Sequence, residues 1–586
     1  MKKILFRLIP LCLVGLPLSS CMEDVYSTQY AYQSQIGVSE DALEALSNAT
    51  SAFMYGYEYF GTLASQEFGY PAMMIMRDGL TDCPYVTTSY NHFRTPWCDL
   101  SDMATTGRSK QPWRYYYRMI LNANNTIFAV ENPDESTAEI KHFYGNALTY
   151  RAMSYLDLMR MYEYKRTGVA ALDAEADKNE VWGLTVCIVD EYFDDANIDN
   201  NPRVPFYTMY RFILNDLDKA EKYLADYVRP ESVSKTKADL SVVYAYKARL
   251  WLEIATRFQK YPADLATQLA HEDDEEIAMY TKLGVTSANE CFQKAAQYAR
   301  LVINQYSPLT ESQWHNTTTG FNKVGANNSW VFAISIGSAN AVYSRVNSFY
   351  SNCVTEYSRG YSRSQYHCYR MIDKNLYDKI DDSDWRKVTW IDPADAGKKP
   401  TPSQYHTLLD ETEWALRDAY VGFKYRPNDG EVGDDYTKAL QTDFPIIRVE
   451  EMYFIEAEAL AYTSGLSAGV NALTSFLNTY RYTDGSYNIS PDNVEDFVDS
   501  YLLTQKRIEL WGEGLAFFDI KRREQNLIRG YNGSNWLEVQ RYNSLPGYTP
   551  SWLNLYVPSE GERSINHAIA LNPNPSVSDS YGVWRP

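Results

Sequence analysis

Beyond its opening segment this chain has no apolar run approaching ~18 residues, which removes a membrane-spanning helix. Basic residues are also scarce: removing Lys2, Lys3 and Arg7 of the opening segment leaves 52 Lys and Arg against 75 Asp and Glu, a formal charge of −23. A field of that sign repels phosphate backbones and argues against nucleic acid as a partner. The seven histidines (His92, His142, His271, His315, His367, His406 and His567) show no HExxH or comparable metal-ligand spacing. Apart from Cys12 and Cys21, the cysteines are Cys83, Cys98, Cys187, Cys291, Cys353 and Cys368, with no close CxxC pair. Cys83 and Cys98 are 15 residues apart, as are Cys353 and Cys368, so two local disulfides and six reduced thiols are both open readings. Gly465-Leu466-Ser467-Ala468-Gly469 fits GxSxG, but a nucleophile elbow needs a strand before it, and here helical periodicity flanks both sides. It is predicted to be a Gly-rich turn. Carboxylates abound, yet sequence sets no two at glycosidase separation, and no catalytic residue is assigned.

What is present starts at the N-terminus. Lys2, Lys3 and Arg7 precede an apolar stretch that ends at Leu18-Ser19-Ser20-Cys21, which reads as a secretory signal over residues 1–20. The last four residues resemble the lipobox of bacterial lipoproteins, in which the cysteine is lipidated and becomes the first mature residue. Acyl chains, at ~0.8 kcal/mol per buried methylene, would then anchor the body at Cys21 without threading it through the bilayer. Met22-Glu23-Asp24 look like the acidic tag of outer-surface Bacteroidetes lipoproteins.

Residues 21–50 read as a tether and the start of the fold, and 51–586 as a single domain. Apolar and small residues then recur at helical spacing. Trp113, Tyr117, Ile120 and Ile127, followed by Tyr144, Leu148, Ala152, Tyr155 and Tyr162, predict a helical hairpin. Further segments run Tyr210 to Leu224, Tyr244 to Ala255, Phe292 to Val302, Met452 to Tyr462, Val470 to Tyr480 and Phe497 to Trp511. The predicted fold class is mostly α, a tetratricopeptide-like helical-repeat scaffold with few short strands. Its parts would be an N-terminal helical region (51–305), a loop-rich region (306–445) and C-terminal helices with a tail (446–586). Long irregular stretches are expected at 61–112, 165–206, 305–445 and 525–586, with a short strand near Val331-Phe332-Ala333-Ile334; loops of such length tend to carry function. The chain holds 50 Tyr, 13 Trp and 22 Phe, rings that suit helix packing, sugar faces or partner surfaces alike.

Several segments, in order, resemble the SusD/RagB family of outer-surface nutrient-binding lipoproteins. They are Arg151 to Tyr162, Trp182-Gly183-Leu184, Arg203-Val204-Pro205 leading to Asn215 to Ala220, Phe444 to Arg448 with Glu451 to Glu458, Gln505 to Gly514 with Phe518, Asp519 and Arg522, Tyr556-Val557-Pro558, and Asn572 to Pro575. Arg448, Glu451, Glu509, Asp519 and Arg522 in these segments read as buried ion pairs that fix helix on helix. The resemblance implies glycan capture without catalysis and delivery to a SusC-like TonB-dependent transporter, with no cofactor and a loop-bound Ca²⁺ left open. Peptide capture, as on the RagB side, and a surface glycoside hydrolase are the alternatives. It further implies a ligand site on loops over the scaffold, for which the candidates are Asp82, Tyr85, Tyr90, Asn91, Arg94 and Trp97 in one loop and Trp314 and Asn316 in another. Trp97 and Trp314 are either stacking platforms or plugs that seat their loops on the helices.

Overall fold

The computed structural model describes residues 39–56, 69–84, 107–230, 235–323, 328–335, 370–426, 442–559, 561–576 and 584–585. Side-chain caps begin several helices: Thr137 accepts from Ile140 N, Asp239 from Val242 N and Ser287 from Glu290 N. The labelled helices are α1 (Glu40–Gly56), α2 (Gly69–Gly79), α3 (Gly107–Ala129), α4 (Ala138–Tyr162), α5 (Phe206–Leu224), α6 (Leu240–Lys260), α7 (Ala288–Ile303), α8 (Val449–Thr463), α9 (Leu466–Tyr480) and α10 (Ala516–Arg523). From α3 to α9 each helix packs on the next, which is the expected helical-repeat scaffold. The predicted hairpin is α3 with α4. One apolar core runs from Leu43 in α1 to Ile569 near the C-terminus, and α8 packs directly on α7 although some 145 residues separate them in sequence. The loop-rich region leaves the scaffold after α7 and rejoins it at α8. Two buried antiparallel strands, β1 (Trp330–Ile334) and β2 (Phe444–Arg448), pair Trp330 with Arg448 and Ile334 with Phe444 and so tie its two ends together.

Buried ion pairs lock the helices, as read from sequence. Arg151 Nε lies 2.7 Å from Asp216 Oδ2 between α4 and α5, Arg249 Nη2 lies 2.6 Å from Glu451 Oε2 between α6 and α8, and Arg522 Nη1 lies 2.6 Å from Glu458 Oε1 between α10 and α8. Asp519 pairs with Lys506 at 2.8 Å and with Arg522 at 2.9 Å.

α1 begins at Glu40, within the stretch read as tether and start of the fold. Helices interrupt stretches read as irregular: α2 within 61–112 and Ala170–Lys178 within 165–206, with shorter turns such as Glu311–Trp314 within 305–445. Every residue of α2 is buried, Arg77 and Asp78 included.

Candidate functional site

The loop-rich face is held by a buried charge cluster whose parts come from β2, α8, the residue that follows α9 (Arg481) and the segments around 384, 424 and 509. Glu509 accepts from Arg448 Nη1 at 3.0 Å, from Arg481 Nε at 2.7 Å and from Arg386 Nη1 at 2.9 Å. Arg386 also holds Asp384 at 2.6 Å, Arg448 holds Glu513 at 2.8 Å and Glu450 at 3.0 Å, and Lys424 Nζ donates to Glu513 at 2.5 Å. Four cations meet four carboxylates, so the cluster is neutral, which burial in a low-dielectric core demands. Burial alone would raise the Glu509 carboxyl, but Arg481, Arg448 and Arg386 outweigh it and hold the group well below the usual carboxylate range. Glu509 is a structural hub.

This cluster grips the loop that carries two of the predicted ligand residues. Glu450 accepts from Leu309 N at 2.7 Å while Arg481 Nη1 donates to Leu309 O at 2.8 Å. A capping box between Thr310 and Gln313 then starts the helical turn Glu311–Trp314. Trp314 turns inward. Its ring is 1% exposed, its Nε1 donates to Thr389 Oγ1 at 3.0 Å, and it packs edge-on against Phe321 and Trp385 with Lys424 at 5.0 Å and Arg448 at 5.5 Å from its centroid. Of the two readings open for Trp314, the geometry supports the plug over the stacking platform: the ring is enclosed by two aromatics and by Lys424, Arg448 and Arg481. Asn316, two residues on, faces outward. Its Oδ1 is committed to its own turn, accepting from Thr318 N at 2.9 Å and Thr319 N at 2.7 Å, which leaves Nδ2 available.

Asn316 lines an open cleft of about 520 Å³ with Glu311, Ser312, His315 and Thr317 on one wall and His406 and Thr407 on the other. His315 is buried, its Nε2 lies 3.3 Å from the Trp385 carbonyl, and its ring stacks on exposed His406 with centroids 4.5 Å apart and planes 18° off parallel. Burial, then the neighbouring His406 and Arg426, push the His315 imidazole down to about 3, and burial with Arg426 lowers His406. Both rings are neutral at physiological pH. The histidine pair was missed because its members lie 91 residues apart and neither belongs to a motif.

The other predicted loop starts from a fixed base. Arg77 donates to Gly514 O at 2.9 Å and to Tyr116 OH at 2.9 Å, and Asp78 Oδ1 accepts from Gly514 N at 2.9 Å. Asp82 is buried and forms an ion pair with Arg507, while its carbonyl accepts from Asp373 N at 3.2 Å. In this conformation Asp82 anchors its loop instead of facing ligand. Tyr85, Tyr90, Asn91, Arg94 and Trp97 lie outside the described residues, as do Cys21, Cys98, Cys353 and Cys368. Cys83 is buried; Cys187 and Cys291 are buried thiols that donate to the Asn201 and Ser287 carbonyls at 3.1 and 3.4 Å.

Gly465-Leu466-Ser467-Ala468-Gly469 joins α8 to α9, with helix and not strand before it. Both glycines have structural causes: Gly465 sits at φ +96° to begin α9, and a Cβ on Gly469 would lie 2.5 Å from Ala461 Cβ of α8. Among the described residues no three His, Cys, Asp or Glu side chains are placed to hold a metal ion.

Known proteins match this architecture. Residues 85–252 match a family model described as SusD-like, starch-binding associating with outer membrane, and residues 418–549 match the SusD family model, together 300 of the 586 residues. A SusD-like carbohydrate binding protein from Bacteroides vulgatus is 20% identical, with a TM-score of 0.61 over 90% of this chain and 97% of its own. A SusD superfamily protein from Bacteroides thetaiotaomicron is 18% identical, with a TM-score of 0.63 over 92% of this chain and 100% of its own. A laminarin binding SusD-like protein is 14% identical, with a TM-score of 0.56 over 91% and 99%. Among curated proteins, none matches the chain. With both family models in chain order and the fold shared along nine-tenths of the length, the chain belongs to the SusD/RagB family.

Proposed function

We propose that this protein is a lipid-anchored, outer-surface glycan-binding protein that captures an oligo- or polysaccharide and delivers it to a SusC-like TonB-dependent transporter. The observation that carries the reading is the match of residues 85–252 to a family model described as starch-binding and outer-membrane associated. Two further observations agree with it. The GxSxG serine lies in the first turn of α9, with no strand before it to form a nucleophile elbow, and no described helix is long and apolar enough to cross a membrane.

A glycan and peptide array probed with the soluble chain, truncated after Cys21, tests the reading. Retention of a glycan class is the expected result. Retention of peptides alone would transfer the chain to the peptide-capturing side of the family.

A further inference from the structure

We propose that the cleft between Glu311–Thr317 and His406–Thr407 is a binding subsite for a neutral sugar residue, and that it works while both histidines are uncharged. The inference rests on the glycan-capture reading and adds to it a location, a preference for neutral over acidic sugars, and a dependence on pH.

The hydrogen-bond arithmetic starts at His315. A backbone carbonyl can accept but not donate, so the contact with Trp385 O places the proton of His315 on Nε2. Nδ1 of the neutral ring is then a bare acceptor, and no described group donates to it. His406 has no hydrogen-bond partner at all among the described residues, and His315 is the one described ring that packs on it. With no described ring on its second face, that face would take the C–H face of a pyranose, while its ring nitrogen and His315 Nδ1 would accept from hydroxyls. Asn316 Nδ2, Ser312 and Thr317 supply donors along the same wall.

Charge sets the preference. Among the described residues Glu311 is the single charged side chain lining the cleft, so a carboxylate-bearing sugar would be repelled there. Burial and Arg426 disfavour charge on both histidines, His406 adds to this at His315, and Glu311 pulls the other way on His406. Protonating His406 turns an acceptor into a donor and places a cation beside the acceptor of His315. Affinity should therefore fall on acidification below the ordinary imidazole range.

Two variants test this on the full soluble chain. His406→Ala removes an exposed ring, and His315→Gln keeps an amide donor for Trp385 O while removing the Nδ1 acceptor. Binding is measured by calorimetry with glucan, mannan and galactan oligosaccharides and with oligogalacturonate as the acidic probe, alongside melting temperature. The expected result is a loss of about tenfold or more in affinity for the bound neutral probe in His406→Ala, with unchanged melting, and weaker binding by the parent on going from neutral pH to about pH 4. If His315→Gln melts early, His406→Ala decides alone. Parental affinity in His406→Ala, a flat pH profile, or tighter binding of oligogalacturonate would each overturn the subsite. A parent that binds no probe, neutral or acidic, would instead count against the glycan-capture reading itself.

Discussion

Trp314 and Glu509 show how single buried residues hold the loop-built face in place. Truncating Trp314 to Ala removes a ring packed on Phe321 and Trp385 and bares the cluster beneath, so it should cost about 3–5 kcal/mol and lower the melting temperature. A normal melt with lost glycan retention would restore the platform role. Glu509→Gln leaves Arg386, Arg448 and Arg481 short of one negative charge and should cost about 3–5 kcal/mol at neutral pH, read by urea unfolding. The pH sign follows from the same contacts. Because the folded carboxyl sits well below its unfolded value, its contribution is fully present above the ordinary Glu range and is lost as pH falls through the depressed folded value. The parent should lose stability in strong acid, and Glu509→Gln should lose less over that window. Equal acid sensitivity of the two proteins would remove Glu509 from the hub.

At the scale of elements, the α8–α9 junction explains a sequence motif by packing. Gly469→Ala puts a methyl group 2.5 Å from Ala461 Cβ and 2.8 Å from the Ala457 carbonyl, so it should destabilise by about 1–3 kcal/mol, whereas Ser467→Ala should melt close to the parent. Circular dichroism melts separate the two. The helices themselves were legible in sequence: the residues from Trp113 to Ile127 and from Tyr144 to Tyr162 recur at helical spacing and fall in α3 and α4. α2 was not legible because it is short and carries Gly69, Pro71 and Gly79, which read as loop residues. The orientation of Trp314 was not legible either. Sequence places an indole in a loop but does not show that Lys424, Arg448 and Arg481, distant in the chain, converge on it. The His315–His406 pair is a product of the same long-range folding.

For the whole molecule, the scaffold and the anchor divide the work. A helical ladder from α3 to α9 supplies rigidity, one long insertion between α7 and α8 supplies the loop-built face, and Cys21 would hold the assembly at the membrane surface. Changing Cys21→Ala should move the protein from the membrane fraction to the soluble fraction, as followed by immunoblot of the separated fractions; a variant still bound and exposed at the cell surface would rule out lipidation as the anchor. The central claim is capture without chemistry, and it is tested most directly by titrating the soluble chain with the glycan selected on the array and then recovering that glycan for chain-length analysis. The account predicts saturable binding with the glycan recovered intact after prolonged incubation; a shortened glycan, with turnover abolished in Ser467→Ala, would contradict it.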